Sequence, residues 1–417
     1  MEVEEIKRII LDQEELLREK FEKEKIIERE PGYKVDLNGA YLITGPRRSG
    51  KSIYAVQLSR GKKYARVDFE DERFYGLRAE ELNKVLEAVY EVKGDVELLV
   101  FDEVQEIKGW ERFVARIRDT VPVIVTGSNA RLMSAEMATY LTGRHLDYVL
   151  FPFSFREFLK YQGVEVRETT RGVAGLKARL EEYLKVGGFP EGYRHDTRAY
   201  LRRLFDDVIT KDVMVRCKTR RDIRDLAVFL AENIGREVSS RRLGNAFSLS
   251  HQTVINYMDC LEDSYLFILL KRFTGKALEK YSMPRKVYLI DPGIYSSLVT
   301  GENVGRKMED SVLVELLRFR EYSGRLYEVY YYKGSNYEVD FVTYGDVKAA
   351  VQVSYEVGGL RDRELKGLEK FSEEFRDFNL ILVTWDSEGE EALKNGKRVK
   401  VVPLWKFLLA PEKVLTR

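Results

Sequence analysis

The sequence predicts a mixed α/β chain: a parallel-sheet core near the N-terminus, a helical region after it, a three-helix module with a small sheet, and a second α/β module. Three observations carry this. The first is a strand–loop–helix unit from Ala40 to Leu58. The second is the alternation of short apolar runs with helical patterns up to residue 150, which implies a parallel sheet covered by helices. The third is a return of that alternation from about Val304 onward.

The strand of the first unit reads Ala40-Tyr41-Leu42-Ile43, and the helix reads Ile53-Tyr54-Ala55-Val56-Gln57-Leu58. Between them lies Gly45-Pro46-Arg47-Arg48-Ser49-Gly50-Lys51-Ser52, the full G-x-x-x-x-G-K-[ST] phosphate-binding loop. Glycines let the backbone wrap an anion so that several N–H groups converge on it. The helix N-terminus adds its positive dipole end. The expected cofactor-binding set runs from Gly45 through Ile53, with Lys51 on the β/γ-phosphates and the Ser52 hydroxyl on Mg²⁺.

A second apolar strand, Leu98-Leu99-Val100-Phe101, ends in Asp102-Glu103. Ligands bind at the C-terminal edge of such sheets. Asp102 is expected to hold Mg²⁺, and Glu103 to polarise the water that attacks the γ-phosphate. A third strand, Val121 to Thr126, is followed by Gly127-Ser128-Asn129, from which Ser128 or Asn129 would bond that water or the γ-phosphate. Arg144 is a candidate for an arginine that meets the γ-phosphate, often from a neighbouring subunit; an exposed arginine is the plain alternative. ATP, ADP and Mg²⁺ are the implied ligands, and a homo-oligomer is compatible with them.

The chain has 417 residues, enough for two to four domains. Its 70 Lys+Arg against 69 Asp+Glu give a net charge of +1, so whole-chain charge points to no nucleic acid and any such contact is local. A charged fraction of 33% exceeds the usual quarter and hints at a thermophile. Cys217 and Cys260 have no metal spacing and form no disulfide framework. No apolar run spans a membrane and no signal-peptide pattern is present, so a cytoplasmic protein without a membrane partner is expected.

Residues 1–34 read as an amphipathic helix packed on the core, with Ile6, Ile9, Ile10, Leu16, Leu17, Phe21, Ile26 and Ile27 at helical spacing. Residues 35–150 are the core, with Ala65 to Phe69 a further strand. Residues 151–215 form a helical lid, interrupted by a hinge-like Gly187-Gly188. Residues 216–300 follow a winged-helix plan. A first helix runs from Ile223 to Asn233, Ser239 or Ser240 caps a second, and Ser250 caps a third from His251. Val254, Ile255, Met258 and Leu261 form the buried stripe of the third helix. His251, Gln252, Thr253 and Asn256 point outward near its start, where base edges are met, with Arg241 and Arg242 upstream for phosphates. Many winged helices instead contact only protein. Residues 301–417 complete the chain.

Several strings carry a family resemblance. They are Phe101-Asp102-Glu103-Val104-Gln105-Glu106-Ile107-Lys108-Gly109-Trp110, Thr126-Gly127-Ser128-Asn129-Ala130-Arg131-Leu132, Gly143-Arg144, Phe151 to Phe158, and Lys286 to Gly293. Together they resemble the prokaryotic AAA-type ATPases that carry a C-terminal domain of unknown function. The resemblance covers nearly the whole chain. It implies an AAA-like ATPase core, a winged helix and a restriction-endonuclease-like module, with Lys51, Ser52, Asp102 and Glu103 in the roles above. Nucleases of that fold set a carboxylate on one strand and Glu-x-Lys on the next. Here Asp340 matches the first position, but the next strand gives Gln352-Val353-Ser354. Glu309 is a helix-borne ligand candidate and Lys348 a displaced lysine. The nuclease-like site therefore reads as degenerate, since Gln352 and Ser354 bring no charge.

Overall fold

Alternation along one strand organises the first unit. In β1 (Ala40–Thr44) every residue is buried. Ala40 and Leu42 face a core shared with Ile6, Ile9 and Ile10 of α1 (Val3–Lys23). Tyr41 and Ile43 face the opposite core with Tyr54 and Ala55 of α2 (Lys51–Leu58). Side chains that alternate across a strand feed two layers in this way. These observations come from a computed structural model that describes all residues except 37, 129–144, 218–221, 275–282, 302, 356–359 and 417. The chain divides into two units, Met1–Phe151 and Pro152–Arg417.

The first unit continues with β2 (Tyr64–Asp68), α3 (Leu82–Lys93), β3 (Leu98–Asp102), α4 (Trp110–Ile117), β4 (Val123–Thr126) and β5 (His145–Val149). The five strands form one sheet in the order β2-β3-β4-β1-β5, and every pair is parallel. α3 and α4 join α1 on one face through Val85, Val89, Phe113 and Val114. The expected stripe of α1 is corrected between Gln13 and Lys23, where the helix ends, while Ile27 beyond it is buried. Leu16 is 64% exposed, and Leu17 and Phe21 line an open groove with Val56 and Tyr64 rather than a closed core.

The second unit begins with α5 (Phe155–Gln162), α6 (Thr170–Val186) and α7 (Thr197–Asp207). A wide turn, Val208–Val213, continues α7 toward Met214–Arg216. The Gly187-Gly188 break is clamped rather than hinge-like. The Gly188 N–H donates to Asp291 Oδ2 at 2.6 Å and the Tyr193 hydroxyl to Gly187 O at 2.5 Å. A Cβ on Gly187 would lie 1.9 Å from Asp291 Oδ1, so only glycine lets the aspartate in. Asp291 is fully enclosed, and burial pushes its pKa up to about 6.

Three helices follow: α8 (Asp222–Glu232), α9 (Ser240–Phe247) and α10 (His251–Asp263). They accompany an antiparallel sheet in the order β6-β8-β7, built from β6 (Glu237–Val238), β7 (Phe267–Leu270) and β8 (Arg285–Leu289). Ser250 caps α10 by accepting the Thr253 N–H at 3.0 Å. Ser239 stands at the start of α9 without a capping hydrogen bond. The buried stripe of α10 is Val254, Tyr257, Met258 and Leu261, with Ile255 only half-buried. The stripe thus follows i, i+3, i+4, i+7 from Val254, and Ile255 falls off its edge.

The chain then forms α11 (Pro292–Leu298), α12 (Val304–Ser323), β9 (Tyr327–Lys333), β10 (Glu338–Gly345), β11 (Ala349–Ser354), α13 (Leu360–Glu374), β12 (Asn379–Thr384), β13 (Gly389–Ala392), β14 (Arg398–Pro403), α14 (Leu404–Leu409) and α15 (Pro411–Leu415). The six strands make a mixed sheet in the order β13-β14-β12-β11-β10-β9. α12 covers one face through Met308, Val312 and Leu316, and α13 the other through Leu368 and Phe371. β10 is bulged between Val339 and Val342, the stretch that holds Asp340.

The absence of a disulfide is overturned. Cys217 and Cys260 are bonded, with Cα atoms 6.4 Å apart. A spacing of 43 residues carries no signature, because the pairing follows from how α10 folds back beside the end of the α7 arm. Closing a loop of that length is worth about 4 kcal/mol on the chain-entropy scale. Thiol titration of the unfolded, unreduced protein is expected to find no free thiol. Cys260→Ser is expected to lower stability by about 2–4 kcal/mol in urea melts. An equal urea midpoint for the two proteins would reject the bond as a stabiliser.

Candidate functional site

The phosphate loop owes its course to two glycines and one strained arginine. At Gly45 φ is +141°, and a Cβ there would sit 2.3 Å from Leu150 O. Gly50 has φ +96° and stands as the N-cap of α2. Arg48 takes φ +67° between them, a left-handed conformation that costs a non-glycine residue energy. No side chain caps the first turn of α2. The buried Ser49 hydroxyl has no hydrogen-bond partner. Uncapped first-turn amides and an orphaned hydroxyl in one loop suit the oxygens of a phosphate.

Lys51 is 4% exposed, and its ammonium donates to Gly45 O at 3.2 Å and Pro46 O at 3.1 Å. It stands 3.9 Å from Glu103 Oε1. Arg47 pairs with Glu70 at 3.0 Å. Ile53, next on α2, is half-buried.

Asp102 ends β3 with no exposed surface. Oδ1 accepts the Ser52 hydroxyl at 3.0 Å and also the Thr126 hydroxyl. Oδ2 is held by Arg66, whose Nε lies at 3.1 Å and whose Nη2 forms a close ion pair. Burial alone would raise the Asp102 pKa. The Arg66 charge and the two hydroxyls outweigh it and keep the carboxylate below its ordinary range. Ser52 and Asp102 thus present hard oxygens side by side, the donor set that Mg²⁺ takes.

Glu103 has φ +49°, and its N–H donates to Thr126 Oγ1 at 3.0 Å. Gln105 donates to Glu103 Oε2 at 2.5 Å. Burial raises the Glu103 pKa, with Lys51 opposing and Asp102 reinforcing the shift. A carboxylate of raised basicity beside the loop suits a base that orients or deprotonates water.

The sheet order explains who meets whom. β4 lies between β1 and β3, so Thr126 at its end falls between the loop and Asp102. β2 lies beyond β3, so Arg66 reaches Asp102 from the other side. Sequence reasoning missed both residues. The strand-end pattern points to Ser128 and Asn129 rather than Thr126, and a strand arginine gives no signal until strand order is known. Ser128 is buried just past β4. Asn129 and Arg144 lie outside the described residues.

In the second unit, Glu309 and Asp340 do converge, but around a lysine. Lys286 of β8 is 2% exposed, with its ammonium 3.5 Å from Glu309 and 3.6 Å from Asp340 and in close contact with Glu338. Burial opposes its charge, yet those carboxylates raise its pKa. Burial and the Glu309 charge raise that of Asp340 well above the ordinary range. The Asp340 N–H donates to Gln352 Oε1 at 3.1 Å, and Gln352 Nε2 donates in turn to Glu364. Lys348 instead stacks over Tyr344, its Nζ 5.6 Å from the ring centre, so it is not the site's lysine. Among the described residues no group of His, Cys, Asp and Glu is placed to hold a metal ion.

On the three-helix module, Arg241, Arg242, His251, Gln252 and Asn256 are exposed and Thr253 is half-buried. Gln252 Nε2 donates to Asn256 Oδ1 at 3.1 Å. No helix among the described residues is long and apolar enough to cross a membrane.

Arg66→Leu is expected to cost about 3–5 kcal/mol in urea melts, because it leaves the buried Asp102 without its cation. Arg66→Leu with Asp102→Leu is expected to recover much of that loss. A loss below about 1 kcal/mol in the single variant would mean that the pair is not what holds this edge of the sheet.

Comparison with known proteins follows the same division. Residues 37–159 match the family described as AAA domain. Residues 177–305 and 304–407 match two domains of unknown function, DUF8612 and DUF4143. Uncharacterized protein MJ1544 of Methanocaldococcus jannaschii is 32% identical over 96% of this chain and 94% of its own. An uncharacterized protein of Haemophilus influenzae is 28% identical over 76% of this chain and 82% of its own. Among solved structures, a signal transduction ATPase with numerous domains from Pyrococcus horikoshii, with a tetratricopeptide repeat sensor, aligns at 12% identity and a TM-score of 0.25. That alignment covers 70% of this chain and 47% of the other, and so loose an overlap carries no argument. At 32% identity over nearly the full length of both chains, this protein belongs to the same family as MJ1544 of Methanocaldococcus jannaschii, and it carries an AAA domain.

Proposed function

We propose that this chain binds ATP with Mg²⁺ and hydrolyses it to ADP. The observation that carries the reading is the convergence of Lys51, Ser52, Asp102 and Glu103 at the C-terminal edge of a parallel sheet. The loop amides and Lys51 would hold the β- and γ-phosphates, drawing the ammonium from Gly45 O and Pro46 O toward the anion. Mg²⁺, when bound, supplies charge neutralisation between phosphate oxygens, and Ser52 and Asp102 would hold it. Glu103 would orient the attacking water and take its proton. Arg144, from a neighbouring copy, would complete the site as Asn129 would on the water.

The experiment is nucleotide binding and turnover in two variants. Lys51→Ala removes the ammonium, and both ATP affinity and hydrolysis are expected to collapse. Glu103→Gln keeps the size without the basic oxygen, so ATP is expected to bind while turnover drops by about 10²–10⁴-fold. Wild-type turnover in Lys51→Ala would end the ATPase reading. Parallel loss of binding and turnover in Glu103→Gln would make Glu103 structural.

Beyond the core, we read residues 151–215 as a lid, 216–300 as a DNA-binding winged helix and 301–417 as a nuclease-like module that nucleotide state moves. The exposed Arg241, Arg242, His251, Gln252 and Asn256 favour DNA as partner. The competing reading of an ATP-dependent nuclease is disfavoured by Lys286, whose ammonium already balances Glu309, Glu338 and Asp340. A switch that binds only protein is the remaining alternative. Arg241→Ala with Arg242→Ala is expected to weaken DNA binding for all sequences and flatten the salt dependence by roughly one to two units. Unchanged affinity and slope in the folded double variant would favour the protein-only switch.

A further inference from the structure

Arg29 lies in the extended segment between α1 and β1, and it is 8% exposed. That segment is laced to α2. The Arg29 N–H donates to Gln57 Oε1 at 3.2 Å, Gln57 Nε2 to Ile27 O at 2.7 Å, and the Tyr54 hydroxyl to Pro31 O at 2.7 Å. The guanidinium therefore enters the unit from a fixed base. Its two amino ends go to two carbonyls: Nη1 to Ser49 O at 2.8 Å, and Nη2 to Phe151 O at 2.7 Å.

These two acceptors have different meanings. Ser49 O belongs to the peptide whose other end is the Gly50 N–H. A trans peptide points its C=O and N–H in opposite directions. Holding Ser49 O on Arg29 thus aims the Gly50 N–H away from Arg29 and fixes that peptide plane. Gly50 lies directly beside the fork, since a Cβ there would make an ordinary 3.4 Å contact with Arg29 Nη1, and it is the φ of +96° that calls for glycine. Phe151 is the last residue of the N-terminal unit. The loop also meets this stretch directly, because Gly45 packs against the Leu150 carbonyl and the Leu150 N–H donates to Thr44 O at 2.8 Å. Both ends of the phosphate loop are consequently braced on residues 150–151, one by backbone and one by Arg29.

We propose that Arg29 is a positioning residue for the phosphate loop and links the loop's occupancy to the Leu150–Phe151 segment, where the chain leaves the ATPase unit. The proposal rests on reading Gly45–Ser52 as a nucleotide loop. An anion that draws the loop amides shifts the Ser49–Gly50 peptide. The planar fork transmits the shift to Phe151 O, because both carbonyls are bonded to one rigid group. Lysine has a single ammonium on a flexible stem and reproduces the charge without the fork.

The test uses the full chain in four forms: wild type, Arg29→Lys, Arg29→Met, and Arg60→Met as a control at a 57%-exposed position on the same unit. Each is followed by calorimetric titration with ATP, by steady-state kinetics, and by hydrogen exchange of peptides covering 148–153 with and without a non-hydrolysable ATP analogue. Wild type and Arg60→Met are expected to bind ATP alike and to change exchange at 150–151 on binding. Arg29→Met is expected to lose roughly 10-fold or more in ATP affinity, the scale of a charged hydrogen bond. KM is expected to rise more than kcat falls, and the exchange response at 150–151 is expected to vanish. Arg29→Lys is expected to restore part of the affinity and none of the exchange response. Affinity and exchange response like wild type in Arg29→Met would overturn the proposal. If Arg29→Met does not fold, a wild-type exchange response in Arg29→Lys would overturn it equally. Wild-type protein that binds no ATP would instead reject the nucleotide reading, and the proposal with it.

Discussion

One buried carboxylate sets the terms for the N-terminal unit. Asp102 has no contact with solvent, yet it stays ionised, so its surroundings must supply charge and donors from several directions at once. Arg66 comes from β2, Thr126 from β4 and Ser52 from α2. Those three elements can reach one residue only if β3 stands between β2 and β4 with α2 starting close by, which is the observed order. The partners of Arg66 extend the same demand to the N-terminal helix. Arg66 also holds Asp68, and Gln13 of α1 closes on the backbone at Asp68 in both directions. Sheet order, helix placement and the nucleotide loop are therefore satisfied together or not at all.

The parts of this design that lie along the chain were legible in its letters. A phosphate loop compresses its chemistry into eight consecutive residues, and a buried strand ending in Asp102-Glu103 announces itself by an apolar run. Period and capping gave the three helices of the middle module, down to Ser250. The parts that lie across the chain were not. Arg66, Thr126 and Arg29 become partners of the site through strand order and loop course, which no local pattern encodes. Lys286 sits 54 residues from Asp340, in a strand of the preceding module, whereas Lys348 is nearer in sequence but stacks on Tyr344. The cysteines failed for the same reason, since a pair at arbitrary spacing is recognised only after folding brings it together.

The two charged centres solve burial in opposite ways. Around Asp102 one carboxylate is served by many donors and keeps hard oxygens turned toward Ser52. Around Lys286 one ammonium is served by Glu309, Glu338 and Asp340, the last within the irregular stretch of β10. The first sets a carboxylate oxygen beside a hydroxyl, whereas the second encloses its own cation. A lysine that ties β8 to α12 and β10 joins the three-stranded sheet to the six-stranded one. The same residues that resemble a catalytic set thereby act as an internal joint.

The bond between Cys217 and Cys260 has a mechanical meaning. It fastens the end of the α7 arm to the far half of α10, and the Cys217 disulfide sulfur lies 3.7 Å from Asn256 O one turn earlier. One covalent bond thus fixes the spacing between the end of the arm and α10, with the two Cα atoms 6.4 Å apart. The helix is therefore tethered toward the end opposite His251 and Gln252, which stand at its start.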